Sequence, residues 1–284
     1  MPSQRPASSA HKPRKRFGQN FLIDRGVVHA IMEAIRPEAD DLLVEIGPGL
    51  GALTEPLLQR LDCLSVVEID RDLIARLKKR YPPERLIVHE GDVLSLDFGA
   101  LAETRGQTRK IRIVGNLPYN ISTPLLFHLA TFAEHIVDMH FMLQKEVVDR
   151  MVAYPGDVAG NAAYGRLSVM LQSRFYLEAL FDVPPEAFDP PPRVRSAIVR
   201  MIPKPLSELT VADPECFARL VAAAFGQRRK MLRNTLKHWF SEGELTALGV
   251  SPAARAEELA PEDFERLANA LFSQDSARIV SKRA

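Results

Sequence analysis

The sequence predicts an α/β protein whose mostly parallel sheet is covered on both faces and followed by a small helical region. Three observations lead there. Short apolar runs alternate with helix-like stretches from Leu42 to Gln144, a glycine-rich turn follows the first run, and strand signals stop after Pro203-Lys204-Pro205. Strands separated by helices must pair in parallel, and a parallel sheet needs cover on both faces.

Leu42 to Ile46 is the first predicted strand. Cys63 to Ile69 is the second, followed by a helix over Arg71 to Arg80. Leu86 to Val88 is the third and ends at Gly91-Asp92; Ile111 to Val114 is the fourth and Met139 to Leu143 the fifth. Leu177 to Val183 and Ala197 to Ile202 are two further β-rich runs with no helix between them, so an antiparallel pair at the sheet edge is expected. The proline-dense stretch Val183 to Pro192 between them predicts a rigid loop. Asp213-Pro214-Glu215 opens a helix with a capping side chain and proline in its first turn. Three or four helices are expected up to about Phe272, with the last dozen residues a frayed tail.

Composition narrows the class. At 284 residues the chain has ample length for a core, and its net charge of +1 says little about partners. The distribution says more. His11 to Arg16 is a basic arm, and Gln227 to His238 carries Arg228, Arg229, Lys230, Arg233 and Lys237 without an acid, a pattern suited to phosphate contacts. The fourfold spacing of Arg229, Arg233 and Lys237 predicts one helical face. No apolar run reaches membrane-spanning length, and the N-terminus lacks the apolar segment of a secretory signal. The two cysteines, Cys63 and Cys216, lie far apart, so a cytoplasmic location is expected. Neither follows a proline, as a cytosine-C5 methylating thiolate commonly does. The seven histidines form no H-x-x-x-H pair, so no metal is expected, and there is no G-x-S-x-G elbow.

Two motifs carry the chemistry. Glu45-Ile46-Gly47-Pro48-Gly49-Leu50-Gly51 places glycines at alternate positions, where backbone can approach a ligand closely. Its third glycine comes one residue earlier than in the dinucleotide fingerprint, which disfavours a nicotinamide dehydrogenase. The E-x-G-x-G-x-G spacing resembles the nucleoside-binding turn of S-adenosylmethionine-dependent methyltransferases. Glu68 and Asp92 stand at the next two strand ends, where carboxylates face the ligand crevice; Glu68 can accept ribose hydroxyls and Asp92 an adenine amine. The second motif is Asn116-Leu117-Pro118-Tyr119 after the fourth strand. An amide supplies an acceptor oxygen, a proline stiffens the turn and an aromatic ring offers a stacking face. Together they suit the exocyclic amine of a planar base.

With Arg14 to Leu22, Glu45 to Thr54, Val67 to Asp70, Gly91-Asp92, Gly115 to Thr123, Phe188 to Ser196 and Ala224 to Lys230, the chain closely resembles the bacterial ribosomal RNA adenine dimethyltransferases of the small subunit. The resemblance implies a Rossmann-like seven-strand methyltransferase sheet with a small C-terminal helical domain. It divides the chain into a basic arm at 1–16, a catalytic domain at 17–205 and an RNA-binding domain at 206–284. It implies methyl transfer from S-adenosyl-L-methionine to N6 of two adjacent adenosines near the 3′ end of 16S rRNA in the 30S particle, by a cytoplasmic monomer that also serves late 30S assembly. Cofactor contacts carried over are Asn20, Leu22, Gly47, Glu68, Asp92 and Asn116, with Gly49 joining them from the glycine turn. The segment Gln19 to Leu22, which composition alone reads as a loop before a helix, is expected to lie over the cofactor near its methionine end, with Asn20 and Leu22 in contact. Asn116 and the Leu117 carbonyl are expected to accept the N6 hydrogens, with Pro118 holding the turn and Tyr119 stacking on the base. Phe188 either supplies the opposite face or anchors the proline-rich loop in the core. Two alternatives stand beside this reading: a 23S rRNA adenine methyltransferase of the macrolide-resistance type, and a non-catalytic assembly factor.

Overall fold

The computed structural model describes residues 20–103, 109–156, 163–227 and 229–281. The basic arm and Arg228 lie outside the described residues. Nine strands are described: β1 (Phe21–Leu22), β2 (Leu43–Ile46), β3 (Leu64–Glu68), β4 (Leu86–Glu90), β5 (Ile111–Asn116), β6 (Ile136–Gln144), β7 (Phe175–Val183), β8 (Phe188–Asp189) and β9 (Ser196–Pro203). Seven form one sheet in the order β4-β3-β2-β5-β6-β9-β7. β2 to β6 pair in parallel, and β9 inserts antiparallel between β6 and β7, giving the edge arrangement the sequence predicts.

The helices follow the capping chemistry. Asp24 caps α1 (Arg25–Ile35) by accepting from the Gly26 and Val27 amides at 2.7 and 3.0 Å. Asp70 caps α3 (Arg71–Arg80), whose last turn carries Lys78, Lys79 and Arg80, the favourable sign for a helix C-terminus. α1, α2 (Thr54–Leu58) and α3 bury Ile31, Ile35, Leu57 and Leu77 against one sheet face. α4 (Phe98–Glu103), α5 (Ser122–Ala130) and α6 (Lys145–Val152) bury Phe98, Leu125, Leu126 and Val148 against the other. The chain therefore leaves β2 towards β3 and returns to β5 on its other side. That switch point is where open α/β sheets form a ligand crevice.

Beyond the sheet come α7 (Arg166–Gln172), α8 (Pro214–Phe225), α9 (Leu232–Thr235), α10 (Glu242–Ala247) and α11 (Pro261–Ser281). Their core gathers Phe217, Leu220, Phe264 and Leu267 but also recruits Ala153, Tyr164 and Val169. The helical core thus begins upstream of residue 206. No helix among the described residues is long and apolar enough to cross a membrane.

Three local expectations are corrected. Residues from Gln227 to His238 do not form one helix: Met231 takes extended backbone and bridges to Arg255, so only Leu232–Thr235 is helical. Arg229 precedes that turn and Lys237 follows it, so they share no helical face with Arg233. The expected tail is helical through Ser281 in α11. The segment before α1, which composition reads as loop, is the strand β1, paired antiparallel with β8 inside the proline-rich stretch.

Candidate active site

At the C-terminal ends of β2, β3, β4 and β5 a cavity opens, lined by the glycine turn, Glu68, Asp92 and the segment Asn116 to Ile121, with Asn20, Phe21 and Leu22 as a further wall. Asn20, Leu22, Gly47, Gly49, Glu68, Asp92, Asn116, Leu117, Pro118 and Tyr119 all line it. Phe188 does not. It is 3% exposed, opposite Leu22 in the β1–β8 pair, and packs in the core that α1 to α3 cover. In this conformation Phe188 has the surroundings of a loop anchor.

The glycine turn needs its glycines for conformation. Gly47, Gly49 and Gly51 have φ of 67°, 57° and 91°, a region that L side chains rarely adopt. A side chain at Gly49 would also meet the Phe21 ring at 3.2 Å. The turn is tied to β3 through Gly47 N–H donating to the Val67 carbonyl at 2.9 Å. Below it, Thr54 Oγ1 donates to Glu45 Oε2 at 2.6 Å, fixing the start of α2. Glu45 is 2% exposed, and burial pushes its carboxyl up to about 7.

Glu68 is also buried, and burial raises its carboxyl above the usual range. Its Oε1 accepts from the Ile69 and Asp70 amides, both at 2.9 Å, and the Gly49 N–H also donates to the carboxylate. The carboxylate is thus pinned by backbone donors at the crevice. Asp92 Oδ1 accepts from the Leu94 amide at 3.0 Å, which fixes this side chain at the cavity edge.

The second motif closes the opposite wall. Leu117 N–H donates to the Met142 carbonyl at 3.2 Å, and Ile121 N–H to the Pro118 carbonyl at 3.1 Å, forming the turn before α5. Gly115 lets β5 reach this point: a Cβ there would lie 2.6 Å from the Ile46 carbonyl oxygen. Asn116 Nδ2 donates to the Asn20 carbonyl oxygen at 3.1 Å. A carbonyl only accepts, so this bond fixes which end of the amide is nitrogen and presents Oδ1 as an acceptor for an incoming amine. The Tyr119 hydroxyl lies 2.8 Å from Ser196 Oγ, and burial raises its pKa.

Sequence reasoning missed Ile69 and Val93 as cavity residues. Ile69 is 47% exposed directly after the Glu68 carboxylate. An exposed isoleucine beside a strand-end acid and a valine beside the next acid are signals for an apolar, planar ligand face. Among the described residues no group of three or more His, Cys, Asp or Glu side chains could hold a metal.

Residues 10–272 match the family model described as ribosomal RNA adenine dimethylase. A relative from Thiobacillus denitrificans named ribosomal RNA small subunit methyltransferase A is 62% identical over 257 residues, covering 90% of this chain and 97% of its own length. The same name is carried by a Dechloromonas aromatica protein that is 59% identical over 261 residues, 92% of this chain and 98% of its own. The crystal structure of a dimethyladenosine transferase from Plasmodium falciparum aligns with a TM-score of 0.73 at 27% identity, covering 87% of this chain and 95% of that one. The 23S rRNA methyltransferase ErmE aligns with a TM-score of 0.67 at 26% identity, covering 89% and 99%.

Proposed function

The chain belongs to the ribosomal RNA adenine dimethylase family, and from that premise we propose that it dimethylates N6 of two adjacent adenosines near the 3′ end of 16S rRNA in the 30S particle, using S-adenosyl-L-methionine. The observation that carries this reading is the oriented Asn116 amide in the wall facing the glycine turn, Glu68 and Asp92.

Bound S-adenosylmethionine supplies a methyl group on a sulfonium that departs as a neutral thioether, so no strong base is required. The residues present fit that group. The glycine turn would bring backbone close to it, with Glu68 accepting from the ribose hydroxyls, Asp92 from the adenine amine, and Ile69 and Val93 flanking the adenine ring; all of these residues line the cavity. Asn20 and Leu22 close over the other end.

The lone pair of an adenine N6 is delocalised into its ring. The Asn116 Oδ1 and Leu117 carbonyl accept its two hydrogens, drawing the nitrogen towards tetrahedral geometry and aiming its lone pair at the methyl carbon. A methyl donor held beside this wall would supply the carbon that N6 receives, with a neutral thioether as leaving group and one N6 proton lost to solvent. Tyr119 stacks on the base, which must leave any helical stack to enter. Orientation supplies most of the acceleration. Phe188 would need to leave its core position to offer a second face.

The names of the relatives support the small subunit as substrate. ErmE supports the 23S alternative through a more distant likeness. The helical region around α8 to α11 is read as the RNA-binding part, with exposed Arg229, Lys230 and Lys237 as phosphate contacts. We infer a monomer acting in the cytoplasm, where 30S assembly would also give it a late assembly role. Methylation of purified 30S particles and of 23S rRNA, read by mass spectrometry of RNA fragments, tests the reading. Dimethyladenosine in the 16S 3′ fragment is expected. Methylation of 23S rRNA alone would overturn it.

A further inference from the structure

Tyr119 stands in a turn, and a stacking platform needs more than a turn can provide. Its backbone is held on one side by Ser122 Oγ donating to the Tyr119 carbonyl at 3.1 Å. The ring is only partly buried, so packing alone holds it less firmly than a core side chain. The tether comes from 77 residues away: the Tyr119 hydroxyl and Ser196 Oγ form a 2.8 Å hydrogen bond. Ser196 is the first residue of β9 and is 0% exposed. It lies opposite Gln144 of β6 and Val183 of β7, so its backbone is fixed by a strand on each side. The ring is therefore held at its Cα by the turn and at its hydroxyl by the sheet.

We propose that Ser196 is a positioning residue for the methyl transfer: its hydroxyl fixes the direction of the Tyr119 side chain and so the position of its ring, and through it the approach of the target amine to Asn116 Oδ1. The inference rests on the reading that Tyr119 stacks on the substrate base. The phenol oxygen is the far end of a side chain with two soft torsions, and releasing it lets the face swing. Displacement of about an ångström at a reacting centre can cost up to roughly a hundredfold in rate. Loss of one neutral hydrogen bond, with the ring still half-packed, corresponds to about three- to tenfold.

Four single variants and one double separate the possibilities: Ser196→Ala, Ser196→Thr, Tyr119→Phe, Tyr119→Ala and Ser196→Ala/Tyr119→Phe. Each is assayed for kcat and KM on 30S particles, for S-adenosylmethionine affinity by calorimetry, and for thermal unfolding. Ser196→Ala and Tyr119→Phe should each lower kcat/KM for the RNA about fivefold, leaving cofactor affinity within about twofold. The double variant Ser196→Ala/Tyr119→Phe should be no worse than either single, since both remove one bond. Ser196→Thr keeps the hydroxyl and should recover at least half of the lost activity. Multiplicative losses in the double variant, or wild-type kinetics for Ser196→Ala with only a lowered melting temperature, would overturn the proposal. The stacking reading fails separately: it falls if Tyr119→Ala retains wild-type turnover. If Tyr119→Ala is crippled while Ser196→Ala is not, only the positioning role is lost.

Discussion

The two walls of the cavity are built differently. The cofactor-side wall, so named for the ligand it is proposed to hold, is made from strand ends whose functional groups are fixed mainly by neighbouring amides: Glu68 by those of Ile69 and Asp70, Asp92 by that of Leu94. The substrate-side wall is braced from a distance. Asn116 is oriented by the Asn20 carbonyl, 96 residues away, and Tyr119 by Ser196, 77 residues away. The first wall draws on β2, β3 and β4 and the turns that follow them; the second depends also on the N-terminal strand and β9. Substitutions on the first wall should therefore weaken cofactor binding with modest effect on chemistry, and substitutions on the second should do the reverse.

The largest expected effect tests that division directly. Asn116→Ala removes the acceptor proposed to orient the amine, and by analogy with loss of one preorganised polar group it should lower kcat by roughly a hundredfold or more. Cofactor affinity should fall less, by up to about tenfold, because Asn116 also borders the cofactor region. Single-turnover methylation of 30S particles with parallel calorimetry reads both numbers. A large loss of cofactor affinity with little change in single-turnover rate would move Asn116 to the other wall.

The same difference decides what was legible in the sequence. The glycine turn, Glu68 and Asp92 announce themselves because residue type and strand-end position suffice; Arg71–Arg80 is also the helix observed, its Asp70 cap and basic last turn being local signals. The Asn116 to Tyr119 motif was legible as chemistry, but neither brace was. No local pattern tells that Asn20 turns its carbonyl to Asn116, or that the residue opening β9 meets a phenol. The β1–β8 pair escaped for the same reason: two residues on each side carry no periodicity, and the pairing spans more than 160 residues. The fourfold spacing of Arg229, Arg233 and Lys237 misled because the Met231–Arg255 bridge overrides helical spacing.

A second test asks whether the cofactor-side wall is limited by its buried acid. Glu45 has a folded pKa of about 7, above its ordinary 4.5, because burial favours the neutral form. Its contribution to stability is therefore complete below pH 4.5 and is lost as pH rises through 7. His140 has the opposite sense: buried, with its pKa lowered to about 4, it contributes above pH 6.5 and loses that contribution as pH falls through 4. Glu45→Gln keeps an acceptor for Thr54 Oγ1 and removes the charge. It should match the parent near pH 5 and be more stable at pH 8, by on the order of 3 kcal/mol at most. Thermal unfolding at the two pH values checks this. Equal differences at both would show that burial does not raise the Glu45 pKa above its unfolded value.

The smallest effect sharpens the comparison most, because it should leave chemistry almost untouched. Glu68→Gln preserves shape and an oxygen that can still accept from the Ile69 and Asp70 amides, so the strand end keeps its geometry. What changes is the acceptor strength offered to the ribose hydroxyls that Glu68 is proposed to hold, since a hydrogen bond to a charged group is worth roughly 1.5–3 kcal/mol against about 1 for a neutral one. Part of that advantage is already offset by the cost of keeping the carboxylate ionised in a buried site, which its raised pKa records. The net loss should be about three- to tenfold in S-adenosylmethionine affinity. At saturating cofactor, kcat on 30S particles should stay within about twofold of the parent, because the Asn116 amide, its Asn20 brace and the Tyr119–Ser196 pair are all on the other wall. Calorimetry and saturating kinetics on the same preparation decide it. A kcat loss comparable to that of Asn116→Ala, with affinity unchanged, would mean that the two walls act as one unit.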